Sequence, residues 1–251
     1  MNSFVSGDKE RIFINTVLGC NAQCKYCYLK SIGISGVVDR TTAEDIVAQL
    51  KEKSYFNWGK FGTVLTIGCY SECWDDGNKQ EMKKLLKYLV EFGNYIQLAT
   101  KQEITLDEIK EINSYCKYPH QIGIFISMPT ISNALEIEPG TASITRRIKS
   151  IEHCLLVDNV YPVLYIKPVI KDITIKDLDL YKGLLDRLKI DCVVGSMLKY
   201  EEMGEYMVGN YSFSTVESKD EEYIRQYLKK KAPVFSYSTE VINKYRKMEK
   251  N

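Results

Sequence analysis

The chain has 251 residues, of which 45% are hydrophobic, and this is enough apolar material for one large domain with a full core. Its 34 Lys and Arg residues nearly cancel its 33 Asp and Glu residues, so the overall charge excludes a broad attraction to nucleic acid or to an anionic membrane surface. Eight cysteines are present, but a chain with long helical patterns and its own core does not need a disulfide framework. We expect reduced thiols, some of them bound to metal.

The N-terminal sequence, MNSFVSGDKERIF, has no positively charged segment that leads into an apolar one. No run of about 18 apolar residues, the length that a membrane-spanning helix needs, occurs in the chain. We therefore expect a cytoplasmic protein without a membrane partner.

Strands and helices are predicted to alternate along the chain. The predicted strands are RIFINTVLG (11–19), TVLTIGC (63–69), YIQLAT (95–100), QIGIFIS (121–127), VLYIKPVI (163–170) and DCVVGSML (191–198). The predicted helices are 42–53, 79–93, 105–118, 142–158, 174–188, 220–232 and 238–248. Because the strands are mostly apolar runs, they indicate a parallel sheet, either an open doubly wound sheet or an incomplete barrel.

Polar and cysteine residues follow four of these strands. The three cysteines Cys20, Cys24 and Cys27 follow the first strand, the segment 68–72 follows the second, Lys101 follows the third, and Ser127 ends the fourth. In both parallel architectures ligands bind at the carboxyl ends of the strands. We therefore expect these residues to share one rim.

The cysteines have the spacing C-x3-C-x2-C. Structural zinc normally takes four Cys or His ligands, but the only histidines, His120 and His153, are far away in sequence. A cubane 4Fe-4S cluster held by three thiolates keeps one iron free, and an open coordination position allows a metal centre to bind a substrate or cofactor. Three reduced core thiols, or part of a zinc site, remain the alternatives.

This motif, with Tyr26 before the third cysteine and placed after the first strand of a βα series, resembles the radical S-adenosylmethionine superfamily. The resemblance implies a partial (β/α)6 TIM-type barrel, residues 1–200, with a C-terminal helical extension, residues 201–251, packed on it. It also implies that the three cysteines hold a 4Fe-4S cluster whose free iron binds S-adenosylmethionine. Reductive cleavage of that cofactor, with electrons from a donor such as flavodoxin or ferredoxin, would yield a 5′-deoxyadenosyl radical that abstracts hydrogen from a substrate.

Within the superfamily, three segments resemble spore photoproduct lyase and related DNA-repair-photolyase-like proteins. They are GCYSE (68–72), ATK (99–101) and FISMPTISNALEIEPGTASITRRI (125–148). The resemblance implies that Cys69 returns a hydrogen atom to the product radical. It further implies that Ser71, Glu72, Lys101 and Ser127 contact the methionine part of the cofactor.

Two tyrosines beside the cysteines match tyrosines that are proposed to assist radical relay in the lyases. For Tyr26 the alternative is packing against the cofactor's adenine, which is common in the superfamily, and Tyr28 follows the last cysteine. Structural alternatives also exist for Cys69, which would pack beside the second strand, and for Lys101, which would be a solvated surface lysine. Thr141 is expected to cap the helix that follows Pro139 and Gly140.

Three functional hypotheses remain open. The first is a lyase-like radical enzyme that acts on a nucleic acid or nucleotide, and the second is a radical enzyme of the same scaffold that acts on a peptide or small metabolite. The third is a non-enzymatic iron-sulfur or zinc protein. Residues 219–251 carry nine basic and five acidic residues, which could serve nucleic-acid contact or simply solvate two terminal helices.

Overall fold

The computed structural model describes residues 4–195, 205–208, 211–214 and 219–248. Its strands, in chain order, are β1 (Val5–Gly7), β2 (Arg11–Ile14), β3 (Val17–Cys20), β4 (Gly36–Arg40), β5 (Val64–Ile67), β6 (Ile96–Thr100), β7 (Ile122–Ser127), β8 (Val160–Ile166), β9 (Asp191–Val194), β10 (Glu205–Val208), β11 (Tyr211–Ser214) and β12 (Val234–Phe235). An eight-stranded sheet has the order β1-β2-β5-β6-β7-β8-β9-β12. The edge strand β1 is antiparallel to β2, and all other neighbours in this sheet are parallel.

The helices connect these parallel strands. They are α1 (Ala43–Lys51), α2 (Lys79–Glu91), α3 (Leu106–Tyr115), α4 (Ala134–Ile137), α5 (Ile144–Cys154), α6 (Leu178–Leu188), α7 (Lys219–Leu228) and α8 (Ser238–Met248). Local sequence explains where several of them begin: Thr42 caps α1, and Thr105 forms a capping box with Glu108 at α3. The partial TIM-type barrel predicted from the sequence is confirmed. In the described part of the chain, no helix has the length and hydrophobicity needed to cross a bilayer.

Strand β2 shows how the sheet separates the core from the site. Its residues alternate, so that Ile12 and Ile14 are fully buried in the main core, which the helices share. Arg11 and Phe13 point to the opposite side, where they line a cavity. The helices therefore cover the outside of a curved sheet, and the cavity lies inside it.

The C-terminal helix fills the interior of the barrel at the amino ends of the strands. Val241 on α8 packs with Phe125 and Tyr161, and Ile242 packs with Val64 and Tyr95. Polar contacts hold the same helix in place. Ser238 Oγ accepts a hydrogen bond from Arg11 Nη2 at 3.2 Å, and Lys244 pairs with Asp191 at 2.7 Å. This packing closes the amino ends of the strands, while a cavity opens at their carboxyl ends.

The prediction of one continuous strand at residues 11–19 is wrong. The chain divides at Asn15 and Thr16, which are buried and bond through their side chains to distant segments: Asn15 Oδ1 accepts from the Tyr70 amide at 2.8 Å, and Thr16 Oγ1 donates to Asn78 Oδ1 at 2.5 Å. These bonds hold the bend between β2 and β3. Strand β3 consequently leaves the main sheet and forms an antiparallel hairpin with β4.

Other boundaries also differ from the prediction. The fifth predicted strand, 163–170, is β8 and begins earlier, and an antiparallel hairpin of β10 and β11 lies within residues 201–251, which we predicted to be a helical extension. Ser143, not Thr141, caps α5, because Thr141 Oγ1 donates instead to the Glu138 carbonyl at 2.8 Å. The predicted domain boundary at residue 200 lies outside the described residues.

We expect Ile242→Ala to lower the free energy of unfolding by about 2–5 kcal/mol, because the side chain is fully buried inside the barrel and its removal leaves a cavity. Lys247→Ala, at an exposed position of the same helix, should change it by less than about 0.5 kcal/mol. Urea denaturation measures both. Equal, small effects would show that α8 is not part of the folded barrel.

Candidate active site

A cavity opens at the carboxyl ends of the barrel strands. Its empty volume is about 1020 Å³ when the solvent-open mouth is included. The lining side chains come from the cysteine loop and from the ends of several strands; they include Arg11, Cys20, Cys24, Tyr26, Cys27, Tyr28, Cys69, Ser71, Glu72, Lys101, Tyr165 and Lys167. Most of the residues that the sequence singled out therefore meet on one rim.

The three motif cysteines lie on one wall of this cavity, and all eight cysteines of the chain are free. Cys20 is the last residue of β3, and a turn, closed by the Cys27 amide on the Cys24 carbonyl at 3.1 Å, brings the other two together. The Ala22 amide donates to Cys20 Sγ at 3.3 Å. Burial raises the pKa of Cys24 to about 12, so a bound cation is needed to favour its thiolate.

The cysteine loop is docked on the segment 136–141, which begins at the end of α4 and continues beyond it. The Lys25 amide donates to the Ile137 carbonyl at 2.9 Å, and the Gly140 amide donates to the Ala22 carbonyl at 3.0 Å. A Cβ atom at Gly140 would lie 2.6 Å from the Ala22 backbone. Only glycine permits so close an approach, which explains the glycine in the EPGT segment.

Buried charged side chains also stabilise the contact between the cysteine loop and the segment 136–141. The Tyr26 hydroxyl donates to Glu138 Oε1, while Glu138 Oε2 pairs with Arg147 Nη1 at 2.5 Å. Both charged side chains are almost fully buried, at 0% and 1% exposure. Arg147 also donates to the carbonyls of Ala142 and Ser127, at 2.8 and 2.9 Å, so every part of the network is bonded.

The three motif cysteines fit the binding of a polynuclear iron-sulfur cluster. Among the described residues, no group of three or more His, Cys, Asp or Glu side chains converges on one metal-ion position. A cubane cluster does not require such convergence, because each cysteine binds a different iron. Three free cysteines on one wall, facing an open cavity, have the chemistry that such a cluster needs.

The chain turns sharply where β5 ends. Gly68 has a φ of +90°, and a Cβ atom there would lie 2.5 Å from the Ala99 carbonyl oxygen, so only glycine fits. The turn presents Cys69 to the cavity beside Tyr28. The Tyr28 hydroxyl donates to the Cys69 carbonyl and lies 3.6 Å from Cys69 Sγ. Burial raises the pKa of the Cys69 thiol, and the Tyr28 contact counteracts this only in part.

Ser71 and Glu72 differ in whether other protein groups already bond to their side chains. Ser71 Oγ is buried and has no hydrogen-bond partner within the described residues. Glu72 accepts the hydroxyl of Thr100 on one oxygen and the Lys101 amide on the other, at 2.9 Å. Its carboxylate thus ties the β5 loop to the end of β6, and burial raises its pKa. Ser71 offers a free polar atom to a ligand, whereas Glu72 is internally bonded.

Lys101 and Ser127 are also placed differently. Lys101 lines the cavity, and its Nζ lies 5.7 Å from the centre of the Tyr26 ring. Burial opposes its charge, but Cys24 and Glu138 outweigh that effect and raise the pKa of Lys101. Ser127 Oγ instead donates to the Lys167 carbonyl at 3.3 Å, and Ser127 is not among the residues that line the cavity.

The sequence pattern did not lead us to predict several polar residues inside the barrel. Arg11 donates to Thr66 Oγ1 at 2.8 Å and to Gln97 Oε1 at 3.0 Å, and Tyr165 and Lys167 complete this side of the cavity. A signal was present, because each of the strands RIFI, VLTI, IQLAT and VLYI contains a polar residue within an otherwise apolar run. On a parallel strand, such a residue marks the face that points into the barrel.

No protein-family model matches the chain, and no curated protein matches its sequence. Solved structures do match. Spore photoproduct lyase complexed with dinucleoside spore photoproduct superposes with a TM-score of 0.63 at 15% identity, over 87% of this chain and 74% of the lyase. The chain has the fold of spore photoproduct lyase. The resemblance predicted from the sequence is therefore confirmed for the fold.

A second match is SuiB from Streptococcus suis. Its structure bound to S-adenosylmethionine superposes with a TM-score of 0.58 at 15% identity, over 91% of this chain and 50% of SuiB. Its structure bound to the precursor peptide SuiA gives 0.59 at 16% identity, over 91% of this chain and 49% of SuiB. This chain thus spans about half of SuiB. Both SuiB and the lyase are radical S-adenosylmethionine enzymes.

We expect Arg147→Leu to lower the free energy of unfolding by about 3–5 kcal/mol, because it leaves the Glu138 carboxylate buried without its cation. The neighbouring Arg146 offers a matched control. Arg146 is itself exposed in its pair with Glu103, so Arg146→Leu should cost no more than about 1 kcal/mol. Chemical denaturation compares the two, and similar losses would contradict the role of the buried pair.

The raised pKa of Cys69 predicts that its thiol is protonated at neutral pH, because the thiolate forms only as the pH rises through the folded-state pKa. The thiolate is the form that reacts with iodoacetamide. Peptide-resolved mass spectrometry should therefore show alkylation of Cys69 still accelerating above about pH 8.5, the pKa of an ordinary cysteine. A rate that levels off below that pH would contradict the prediction.

Proposed function

We propose that this protein is a radical S-adenosylmethionine enzyme. The proposal rests on one observation. Three free cysteines, the unpartnered buried hydroxyl of Ser71 and the side chain of Lys101 line one cavity at the carboxyl ends of the barrel strands. The fold supports it, because the matching solved structures belong to radical S-adenosylmethionine enzymes.

Cys20, Cys24 and Cys27 would hold a 4Fe-4S cluster through three of its irons. When bound, the cluster and S-adenosylmethionine supply a 5′-deoxyadenosyl radical that removes a hydrogen atom from the substrate. The docked loop fixes the direction in which the thiols face, since its backbone is bonded to the segment 136–141 on both sides of Cys24. The protein supplies no fourth cysteine there, which leaves one iron open.

The cofactor's methionine end would lie between Ser71 and Lys101. Ser71 Oγ is free to donate a hydrogen bond, and the Lys101 ammonium, which has no ion pair within the described residues, would pair with the carboxylate. Glu72 and Ser127 remain predicted cofactor contacts, but their side chains already bond to protein groups. We propose that Glu72 acts by positioning Lys101 through its amide.

Cys69 would return hydrogen to the substrate radical. Its S–H bond breaks as a C–H bond forms, and the electron remains on sulfur as a thiyl radical. The Tyr28 hydroxyl, 3.6 Å from Sγ, can then pass a hydrogen atom to that sulfur, which breaks its O–H bond, re-forms the S–H bond and leaves the radical on the tyrosyl oxygen. Tyr26 has a different setting, because its hydroxyl donates to Glu138, and we propose that it supports the loop and the adenine rather than the relay.

For the substrate, we favour a nucleic acid or nucleotide that reacts in a lyase-like manner. The support is the fold of a lyase that was solved with a dinucleoside photoproduct, together with Cys69 at the cavity. The second candidate is a peptide, which SuiB binds in one of its structures. Both candidates share the radical chemistry, and they differ only in what enters the cavity.

The experiment is anaerobic reconstitution with iron and sulfide, followed by S-adenosylmethionine and a strong reductant. We expect 5′-deoxyadenosine to form in the wild-type protein and to be lost in Cys24→Ser, because the variant removes one cluster ligand. Cys116→Ser is the control, since Cys116 bonds to the Ile112 carbonyl in α3 and does not line the cavity. Chromatography measures 5′-deoxyadenosine, and iron analysis measures the cluster content of each protein.

Absence of 5′-deoxyadenosine from a wild-type preparation that retains its cluster would refute the proposed enzyme and favour a non-enzymatic iron-sulfur protein. Retention of full iron content and activity in Cys24→Ser would refute the assigned ligand set.

A further inference from the structure

The cavity contains more positive charge than its internal partners neutralise. Among the described residues that line it, three are cationic, Arg11, Lys101 and Lys167, and one, Glu72, is a carboxylate. Lys101 lies near the cysteine loop, where its Nζ faces the Tyr26 ring. Arg11 and Lys167 belong to the other side of the cavity, and the proposed binding of cluster and cofactor uses neither of them.

Arg11 has only neutral acceptors. It bonds to Thr66 Oγ1 at 2.8 Å, to Gln97 Oε1 at 3.0 Å and to Ser238 Oγ at 3.2 Å. These bonds hold the guanidinium in a fixed orientation inside the barrel without cancelling its charge. Its Nη1 group makes no hydrogen bond within the described part of the chain, which leaves a donor for a ligand.

Lys167 follows β8, several strands away from β2 in the sheet, yet it lines the same cavity. Its side chain is half-buried, and within the described ranges it has no hydrogen bond or ion pair. Arg11 and Lys167 both act electrostatically on the Cys69 thiol, lowering its pKa against the effect of burial. Two cations without a carboxylate partner therefore flank the place where the substrate would react.

We propose that Arg11 and Lys167 bind the phosphate of a substrate that is a phosphate monoester. A monoester carries close to two negative charges above neutral pH, which matches the two unpaired cations, whereas a carboxylate or a phosphodiester carries one. Guanidinium and ammonium groups are the usual partners of phosphate. The substrate's phosphate lies against Arg11 and Lys167, and its reacting carbon faces Cys69. This inference rests on the proposed radical function only for the identity of the reacting centre.

Protection of Cys69 from iodoacetamide tests the site without requiring turnover. The cluster-loaded protein is alkylated at mildly alkaline pH with and without methyl phosphate, and peptide mass spectrometry gives the rate at Cys69. Dimethyl phosphate and acetate are the singly charged controls. We expect methyl phosphate at millimolar concentration to slow alkylation, and the concentration needed for half-protection to be about tenfold higher for either control.

Lys167→Met should raise the half-protecting concentration of methyl phosphate by about tenfold, because it removes one of the two cations. Lys176→Met removes the same charge from an exposed position and should behave as wild type. Because each protein is compared with its own unprotected rate, a changed thiol pKa does not affect the result.

The proposal is overturned if methyl phosphate gives no protection, if acetate or dimethyl phosphate protects equally well, or if both lysine variants lose protection together. The same preparation is tested for 5′-deoxyadenosine formation. Protection without 5′-deoxyadenosine formation would support the phosphate site and refute the radical function. Formation of 5′-deoxyadenosine without protection would support the radical function and refute the phosphate site.

Discussion

The candidate site depends on one buried carboxylate. Glu138 accepts the Tyr26 hydroxyl on one oxygen and the Arg147 guanidinium on the other, and it does so where water does not reach. A charge in such a place is costly unless it is paired and fully bonded, so each partner fixes the position of the others. Because Tyr26 lies between two of the motif cysteines, the direction of the cysteine loop follows from this network.

The two sides of the cavity carry different groups. On the cysteine side, Lys101 and Ser71 have groups available to a cofactor, while Glu72 is used to tie β5 to β6. On the other side, Arg11 and Lys167 carry charge that the described residues leave unpaired. Cys69 lies between these groups, within reach of Tyr28. The division places specificity in residues that the cysteine motif does not contain.

Much of the fold could be predicted because it follows from local patterns. Mostly apolar runs of six to nine residues predicted the parallel strands, and apolar residues at helical spacing predicted α1, α3 and α8. The division of the first strand could not be predicted, because it depends on bonds from Asn15 and Thr16 to residues more than fifty positions away. Arg11 was missed although a signal was present, because the polar residues of several strands indicate a common interior face only when the strands are compared with one another. The cysteine motif was recognisable because its ligands are close in sequence.

We infer that the Tyr26–Glu138 contact holds the cysteine loop in place before any cofactor binds. Hydrogen exchange of the Lys25 and Gly140 amides, which join the loop to the segment 136–141, measures this directly. Tyr26→Phe should accelerate exchange at both amides by about tenfold, the effect of one lost hydrogen bond to a charged group. Tyr28→Phe, two residues away, should leave both amides as protected as in the wild type. Equal protection in all three proteins would show that the Tyr26–Glu138 contact does not hold the loop.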